Sequence, residues 1–326
     1  MRTCRTRGWA RLCVMLAASL TAEALPAAAQ TTAPPAVAGA WALDAVAGIG
    51  KVSPDDLNAR AAYDATWLNY LRAAQITQEH SGDIRELKDT LPVSVRLTKR
   101  IRRNWSVGGG MSVVFGRQAS SEGATYRYTV TDPKAQEYQR TFAQSLEIDP
   151  LEFEVRTLVP HGLLGFDIGL GRRVRLGGLL AAGWGFAKCT LRRSSISQGG
   201  FYVTDHRDDL DMTGKGSGPS ADLLLTGRLA LTSRVGLLLE GGFAWLNVHE
   251  ITGALDRTQR IQDGEATSVE LEQASRSEGR WVNQAASIQT SSGTWKGTVP
   301  SIGAQGAPLT LSLSGWQFRA GVSFGF

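Results

Sequence analysis

The sequence predicts an all-β protein, an antiparallel transmembrane β-barrel of eight strands, with ten strands as the alternative. Three observations carry this reading. Several stretches alternate apolar and polar residues with period two, their connections are tight and long by turns, and the chain opens with an export leader. Period-two alternation means sheet. Short turns at one end and long loops at the other are the pattern of barrels that cross an outer membrane.

The composition agrees. The 326 residues carry a net charge of +5, with 42% hydrophobic and 20% charged residues and a mean hydropathy of −0.13. No run of about 18 apolar residues occurs, which excludes a helical membrane protein. It does not exclude a barrel, whose strands average polar and apolar faces. The 37 glycines against 11 prolines suit a twisted, closely packed sheet.

Residues 1–29 read as a secretory signal peptide. Arg2, Arg5, Arg7 and Arg11 precede an apolar core running from Leu12 to Leu20, and Ala27-Ala28-Ala29 supplies the small-residue cleavage pattern. Cleavage is expected after Ala29. Residues 30–39, with Pro34-Pro35, form a flexible lead-in, and 40–326 the barrel. Cys4 and Cys13 leave with the leader, so Cys189 is expected as a packed, inert thiol without a disulfide partner. Cys13 lacks a lipobox before it (Ala10-Arg11-Leu12), which argues against a lipid anchor.

The alternating stretches are 41–50, 91–101, 105–116, 162–170, 174–190, 221–232, 235–248 and 315–326. In the sixth, Leu223, Leu225, Leu229 and Leu231 share one face and Asp222, Thr226 and Arg228 the other. In the third, Trp105, Val107, Met111, Val113 and Phe115 stand opposite Ser106, Gly108, Gly110 and Ser112. A soluble β-sandwich also alternates, but it buries its apolar face as a dry core, and a small, charged second face does not suit that role. Residues 151–159 are expected to prolong the fourth strand, with a bulge near Pro160 where the apolar parity flips. A hairpin within 281–299, turning at Ser292-Gly293, is the source of the ten-strand alternative.

The C-terminal run Arg319-Ala320-Gly321-Val322-Ser323-Phe324-Gly325-Phe326 resembles the assembly signal that ends outer-membrane barrels. Arg319, Gly321, Phe324 and Phe326 occupy its polar, glycine and aromatic positions. The whole plan resembles the small barrels of the OmpA-transmembrane and OmpW/OmpX type, without a peptidoglycan-binding domain after the barrel. The resemblance implies residence in the outer membrane of a Gram-negative-type cell and recognition by the barrel-insertion machinery. It also implies contact with outer-membrane lipids and lipopolysaccharide. A monomer is the expectation.

Inside such a barrel, strand parity places Asp44, Arg96, Asp167, Arg175, Asp222, Arg228, Glu240 and Arg319. In a narrow interior these must pair to offset desolvation. They form either a salt-bridge plug or the lining of an ion path. The tight turns carry Lys99, Arg100, Arg102, Arg103, Arg172, Arg173 and Arg234, suited to anionic headgroups. Trp41, Trp105, Trp184, Trp245 and Trp316 are candidates for aromatic girdles. One segment leaves the pattern. Ser53-Pro54-Asp55-Asp56 reads as an N-terminal cap, and Leu57, Ala61, Trp67, Leu68 and Leu71 as the apolar face of a short helix reaching about Ile76. It is expected to cover the barrel mouth, lie on the outer leaflet or pack as a loop helix.

No catalytic constellation is visible. His80, His161, His206 and His249 lack zinc-ligand spacing, and no G-x-S-x-G or His-x-Ser pair occurs. Asp209-Leu210-Asp211-Met212-Thr213-Gly214 begins like a calcium loop, but Ser220 stands where a bidentate acid is needed. No cofactor, metal or nucleic-acid partner is therefore expected. Three functions compete: a structural or surface-interaction barrel, a narrow channel for small or apolar solutes, and, last, a lipid-modifying enzyme.

Overall fold

The computed structural model describes residues 40–52, 54–74, 76–131, 139–199, 204–263, 270–290 and 293–326. The expected leader, the lead-in and Ser53 lie outside these residues. The described part holds one helix and thirteen antiparallel-paired strands. They are β1 (Trp41–Lys51), α1 (Asp55–Ala74), β2 (Ile76–Asp83), β3 (Asp89–Arg100), β4 (Trp105–Thr131), β5 (Gln139–Gly169) and β6 (Val174–Gly199). There follow β7 (Thr204–Ala230), β8 (Val235–Asp263), β9 (Glu270–Thr290), β10 (Gly293–Ile302), β11 (Ala307–Pro308), β12 (Leu311–Ser312) and β13 (Gly315–Gly325).

Eight of these strands pair in a closed ring. The path runs β1-β3-β4-β5-β6-β7-β8-β13 and returns to β1, where Val46 faces Gly321 and Leu43 faces Phe324. Closure brings backbones close at inward positions. A Cβ on Gly48 would lie 1.8 Å from the Phe318 carbonyl oxygen, so only glycine fits there. The tight turns at 101–104, 170–173 and 231–234 share one end of the ring with the chain's last residue, which pairs with Trp41.

At the other end the expected long loops are absent, because the strands continue. β4, β5, β6, β7 and β8 run for 26 to 31 residues, roughly twice the 11 or 12 of β1, β3 and β13. Above the ring, β2 replaces β3 beside β4, and the hairpin of β9 and β10 replaces β13 beside β8. The hairpin foreseen in 281–299 therefore exists but stands outside the ring, with Thr290 opposite Gly293. Among the described residues β2 and β10 each have one strand neighbour, and α1 runs against both.

Strand β5 shows how the two storeys join. Its inward side chains are Leu151, Phe153, Val155, Thr157, Val159, His161, Leu163, Gly165 and Asp167, one unbroken parity. The bulge expected near Pro160 is not there; pairing with both neighbours keeps one register from Leu151 onward, and the shift falls between Ile148 and Leu151. What changes near Pro160 is the chemistry of the two faces. Outward, Leu158, Leu164 and Ile168 lie below and Glu152, Glu154 and Arg156 above. Inward, Asp167 lies below and Phe153 and Val155 above. β6 repeats this, with Leu176, Leu180, Trp184 and Phe186 outward below Lys188 and Arg192. Among the described residues, every exposed large hydrophobic side chain except Ile261 belongs to the ring or its short turns.

The upper storey is filled by an apolar core. Leu57, Ala61 and Leu68 of α1 meet Phe153, Val155, Met212, Val248, Ile251 and Trp281 from the wall. The segment before β13 folds inward, burying Leu309, Leu311 and Leu313. Three polar clamps seat the helix. Asn58 donates to the Leu87 carbonyl and accepts from its amide (3.0 and 2.8 Å), Asp56 accepts from the Thr310 amide and hydroxyl, and Asp64 accepts from Arg60 and Arg193 at 3.1 Å. Of the placements open to the helix, the structure shows the one over the ring's interior. Its 20 residues, Asp55–Ala74, fall within the extent expected for it, from the cap at 53–56 to about Ile76.

Leu57→Ala should cost about 2–5 kcal/mol, the usual loss for a buried leucine, because Leu57 is fully buried. Leu225→Ala, at a side chain 76% exposed, should cost far less in the detergent-folded protein. Equilibrium denaturant unfolding followed by circular dichroism compares them, and equal losses would place α1 outside the core. Burial pushes the Cys189 thiol up to about 12. The thiol should therefore resist alkylation at pH 8 until the protein unfolds. Because the folded value is raised, Cys189 favours the fold at lower pH and loses that contribution as pH rises from 9 towards 12.

Candidate functional site

The ring interior gathers the charges that strand parity assigns to it. Even-numbered positions of β1, β3, β7 and β8 and odd-numbered positions of β5, β6 and β13 point inward, which brings residues distant in sequence within hydrogen-bonding range. The side chains form three groups at different heights.

The deepest group is Arg96, Asp222, Glu240 and Arg319. Arg96 donates to Glu240 Oε1, Arg319 Nε stands 3.1 Å from Glu240 Oε2, and Arg319 Nη2 stands 3.6 Å from Asp222 Oδ2. The Arg319 Nε contact is an ion pair without hydrogen-bond alignment, and Arg96 Nε and Nη1 are buried without a hydrogen-bond partner. Glu240 therefore holds two guanidinium groups largely by charge. Below it, Arg228 Nη2 grips both oxygens of Asp44 at 3.1 and 3.0 Å. The third group is Asp167 between two arginines, Arg175 and Arg100, each at 2.9 Å.

Arg100 belongs to this interior, although its place beside a tight turn suggested a headgroup contact. The parity of β3 contained the signal, since Arg96, Thr98 and Arg100 fall on one side. Arg319 of the C-terminal run serves in the deepest group. Gly321 lies against β1, where a Cβ would come 1.9 Å from the Ala45 carbonyl oxygen. Phe324 points outward. Phe326 exchanges two backbone hydrogen bonds of 2.9 Å with Trp41 and leaves its ring exposed.

Two spaces flank the deepest group. Arg96 and Glu240 face a vestibule of about 1010 Å³ at the tight-turn end. Asp222 and Arg319, with His161, Ser112, Ser220 and Gln317, line a cavity of about 40 Å³ on the other side. That is room for a few water molecules. Leu246 and Leu313 of the apolar core complete its lining. The interior is thus a wet cup with a charged partition and a dry stopper.

A separate ionic chain ties the upper storey together. Arg193 reaches Asp64 of α1 at 3.1 Å and Asp208 of β7 at 3.6 Å, and Arg257 of β8 grips Asp208 at 2.7 Å. Burial pulls the Arg193 guanidinium below its ordinary value, against the charge of Asp64. Burial alone would raise Asp208, but the hydrogen bond and charge of Arg257 hold it below the usual carboxylate range.

The aspartates of the calcium-like run do not form a loop. They sit on extended β7, where Asp209 pairs with Arg207 and Asp211 with Arg192. Among the described residues no group of three or more His, Cys, Asp or Glu side chains is placed to hold a metal. No known family model matches the chain, and no curated protein is significantly similar to it.

Glu240→Ala strands two buried guanidinium groups and should destabilise the protein by about 3–5 kcal/mol, the range for breaking a buried ion pair. Arg228→Ala should cost less, because the Arg228 side chain is 28% exposed against 1% for Glu240. Denaturant midpoints of the two variants check the order. Equal, small losses would mean that water screens the deepest group as freely as the vestibule.

Proposed function

We propose that the chain is an exported outer-membrane β-barrel with a structural or surface-interaction role. In this reading the ring crosses the bilayer and the upper storey projects from the cell. The observation that carries it is the exchange of inside and outside chemistry along unbroken strands. Exposed large apolar side chains, Ile261 apart, cover the ring between its turns and the storey above, and the outer face of that storey is mainly polar. A contiguous apolar surface of that extent calls for a partner, and a belt around a closed sheet suits lipid.

The dimensions support it. Outward apolar positions on β6 run from Val174 to Phe186, roughly 40 Å of strand and, at the usual tilt of about 40°, roughly 30 Å of height. Trp41 and Trp105 stand at the turn edge of the belt and Trp184, Trp245 and Trp316 at the far edge, all exposed. That is the arrangement of interfacial girdles. The turn edge carries Arg102, Arg103, Arg172, Arg173 and Arg234, suited to anionic headgroups. The upper wall is then available to lipopolysaccharide or to neighbouring surfaces, and the C-terminal run to the insertion machinery.

The partition and stopper favour a closed interior over a channel. Among the described residues no constellation favours an enzyme. In planar bilayers the protein should give no steady conductance, whereas steady, ion-selective channels would move the reading to the channel. Membrane fractionation should find heat-modifiable protein in the outer membrane with an N-terminus at or near Gln30. Recovery only as soluble periplasmic protein would end the barrel reading.

A further inference from the structure

The vestibule at the tight-turn end holds more positive charge than it neutralises. Its lining includes eight arginines (Arg96, Arg100, Arg103, Arg172, Arg173, Arg175, Arg228 and Arg234) against three acids, Asp44, Asp167 and Glu240. All three acids are engaged by interior arginines. Arg103, Arg172, Arg173 and Arg234 have no carboxylate within 4.0 Å among the described residues, and all four are exposed at the mouth.

Deeper in, the excess persists. Arg175 and Arg228 stand directly opposite one another on β6 and β7, with both side chains in the cup. Like charges at such a pair repel. Asp167 serves both Arg100 and Arg175, so that group keeps one positive charge, and Arg175 Nε is buried without a hydrogen-bond partner. No lysine lines the vestibule. Guanidinium groups present paired donors in a fixed plane, which matches the oxygens of phosphate better than a single ammonium does. A concave, water-filled space with low-dielectric walls also focuses the field of such charges on its mouth.

We propose that this vestibule is a binding site for a phosphate-bearing anion of at least two negative charges. The mouth arginines capture it, and the partly buried Arg175 and Arg228 lie deeper in the same lining. The site needs only the closed ring, not its insertion in a bilayer. The phosphate has two possible sources, a soluble phosphate compound or the headgroup of an anionic lipid at the rim.

The test uses the full mature chain folded in nanodiscs of phosphatidylcholine, with inorganic pyrophosphate as the probe in a calorimetric titration. Saturable, salt-sensitive binding is expected. The double variant Arg172→Gln/Arg173→Gln should weaken it by about tenfold or more, the cost of losing charge-assisted hydrogen bonds. Arg280→Gln, which removes a single positive charge from the exposed upper wall, should leave it unchanged. The mouth arginines lie on exposed turns, and retained heat-modifiable mobility verifies that each variant is folded. Repeating the titration with phosphatidylglycerol in the discs separates the sources. Loss of pyrophosphate binding there assigns the site to lipid headgroups, and its persistence to a soluble phosphate compound. No saturable binding in phosphatidylcholine discs, or equal weakening by Arg280→Gln, would overturn the proposal.

Discussion

Side chains on a strand alternate between two faces, and only an extra residue in the ladder can exchange them. In this protein five strands are long enough to pass from one environment into another; β8 changes parity at a bulge beside Glu250, so that Val248 and Ile251 both face the core, but on β5 one alternation from Leu151 to Asp167 satisfies two opposite demands. Leu151, Phe153, Val155 and Val159 of β5 point inward and supply an apolar core, and Asp167 on the same face supplies an ion pair. Nothing in the backbone changes between them. The arrangement of the molecule follows from where, along each strand, apolar residues change from one parity to the other.

That change fixes what the interior can be. In the ring, charges packed together need partners, and seven of its eight strands contribute them so that each acid meets a guanidinium. In the storey above, the sheet encloses a wider space that side chains alone do not fill. A helix and the folded-in leucines at 309, 311 and 313 take it up. Both solutions close the interior, one by charge and one by volume. The space left over is at the turn end, where the arginines gather.

The ring was largely legible in the sequence because its two faces differ strongly in polarity. Trp105, Val174 and Val235 mark strand starts both in the alternation and in the structure. The charges from Asp44 to Arg319 follow from parity alone. The upper storey was not legible, for a physical reason visible on β7. There Gly214, Gly216 and Gly218 occupy inward positions. They are glycines because the core fills their side-chain space. A Cβ on Gly214 would lie 2.6 Å from Ile251 and 2.7 Å from the Trp281 ring, and one on Gly216 2.7 Å from Val248. The outward face there is polar, so one face bald and the other charged leaves no alternation to read. The apparent flip at Pro160 has the same origin, since apolar residues change face there while the register does not.

The closing pair of the ring joins β1 to β13, and so residues 41–51 to residues 315–325. No shorter piece of chain can complete the circle. Until the last strand is present, β1 and β8 offer two unpaired ladder edges, and bringing them together must order nearly the whole polypeptide. Closure thereby waits on residues 315–325. A chain lacking residues 315–325 would have every turn, the helix and the upper wall, yet would remain an open strip with its apolar belt unrolled. Such a strip is a template for its own kind, and the last strand is what separates a finished molecule from an aggregate.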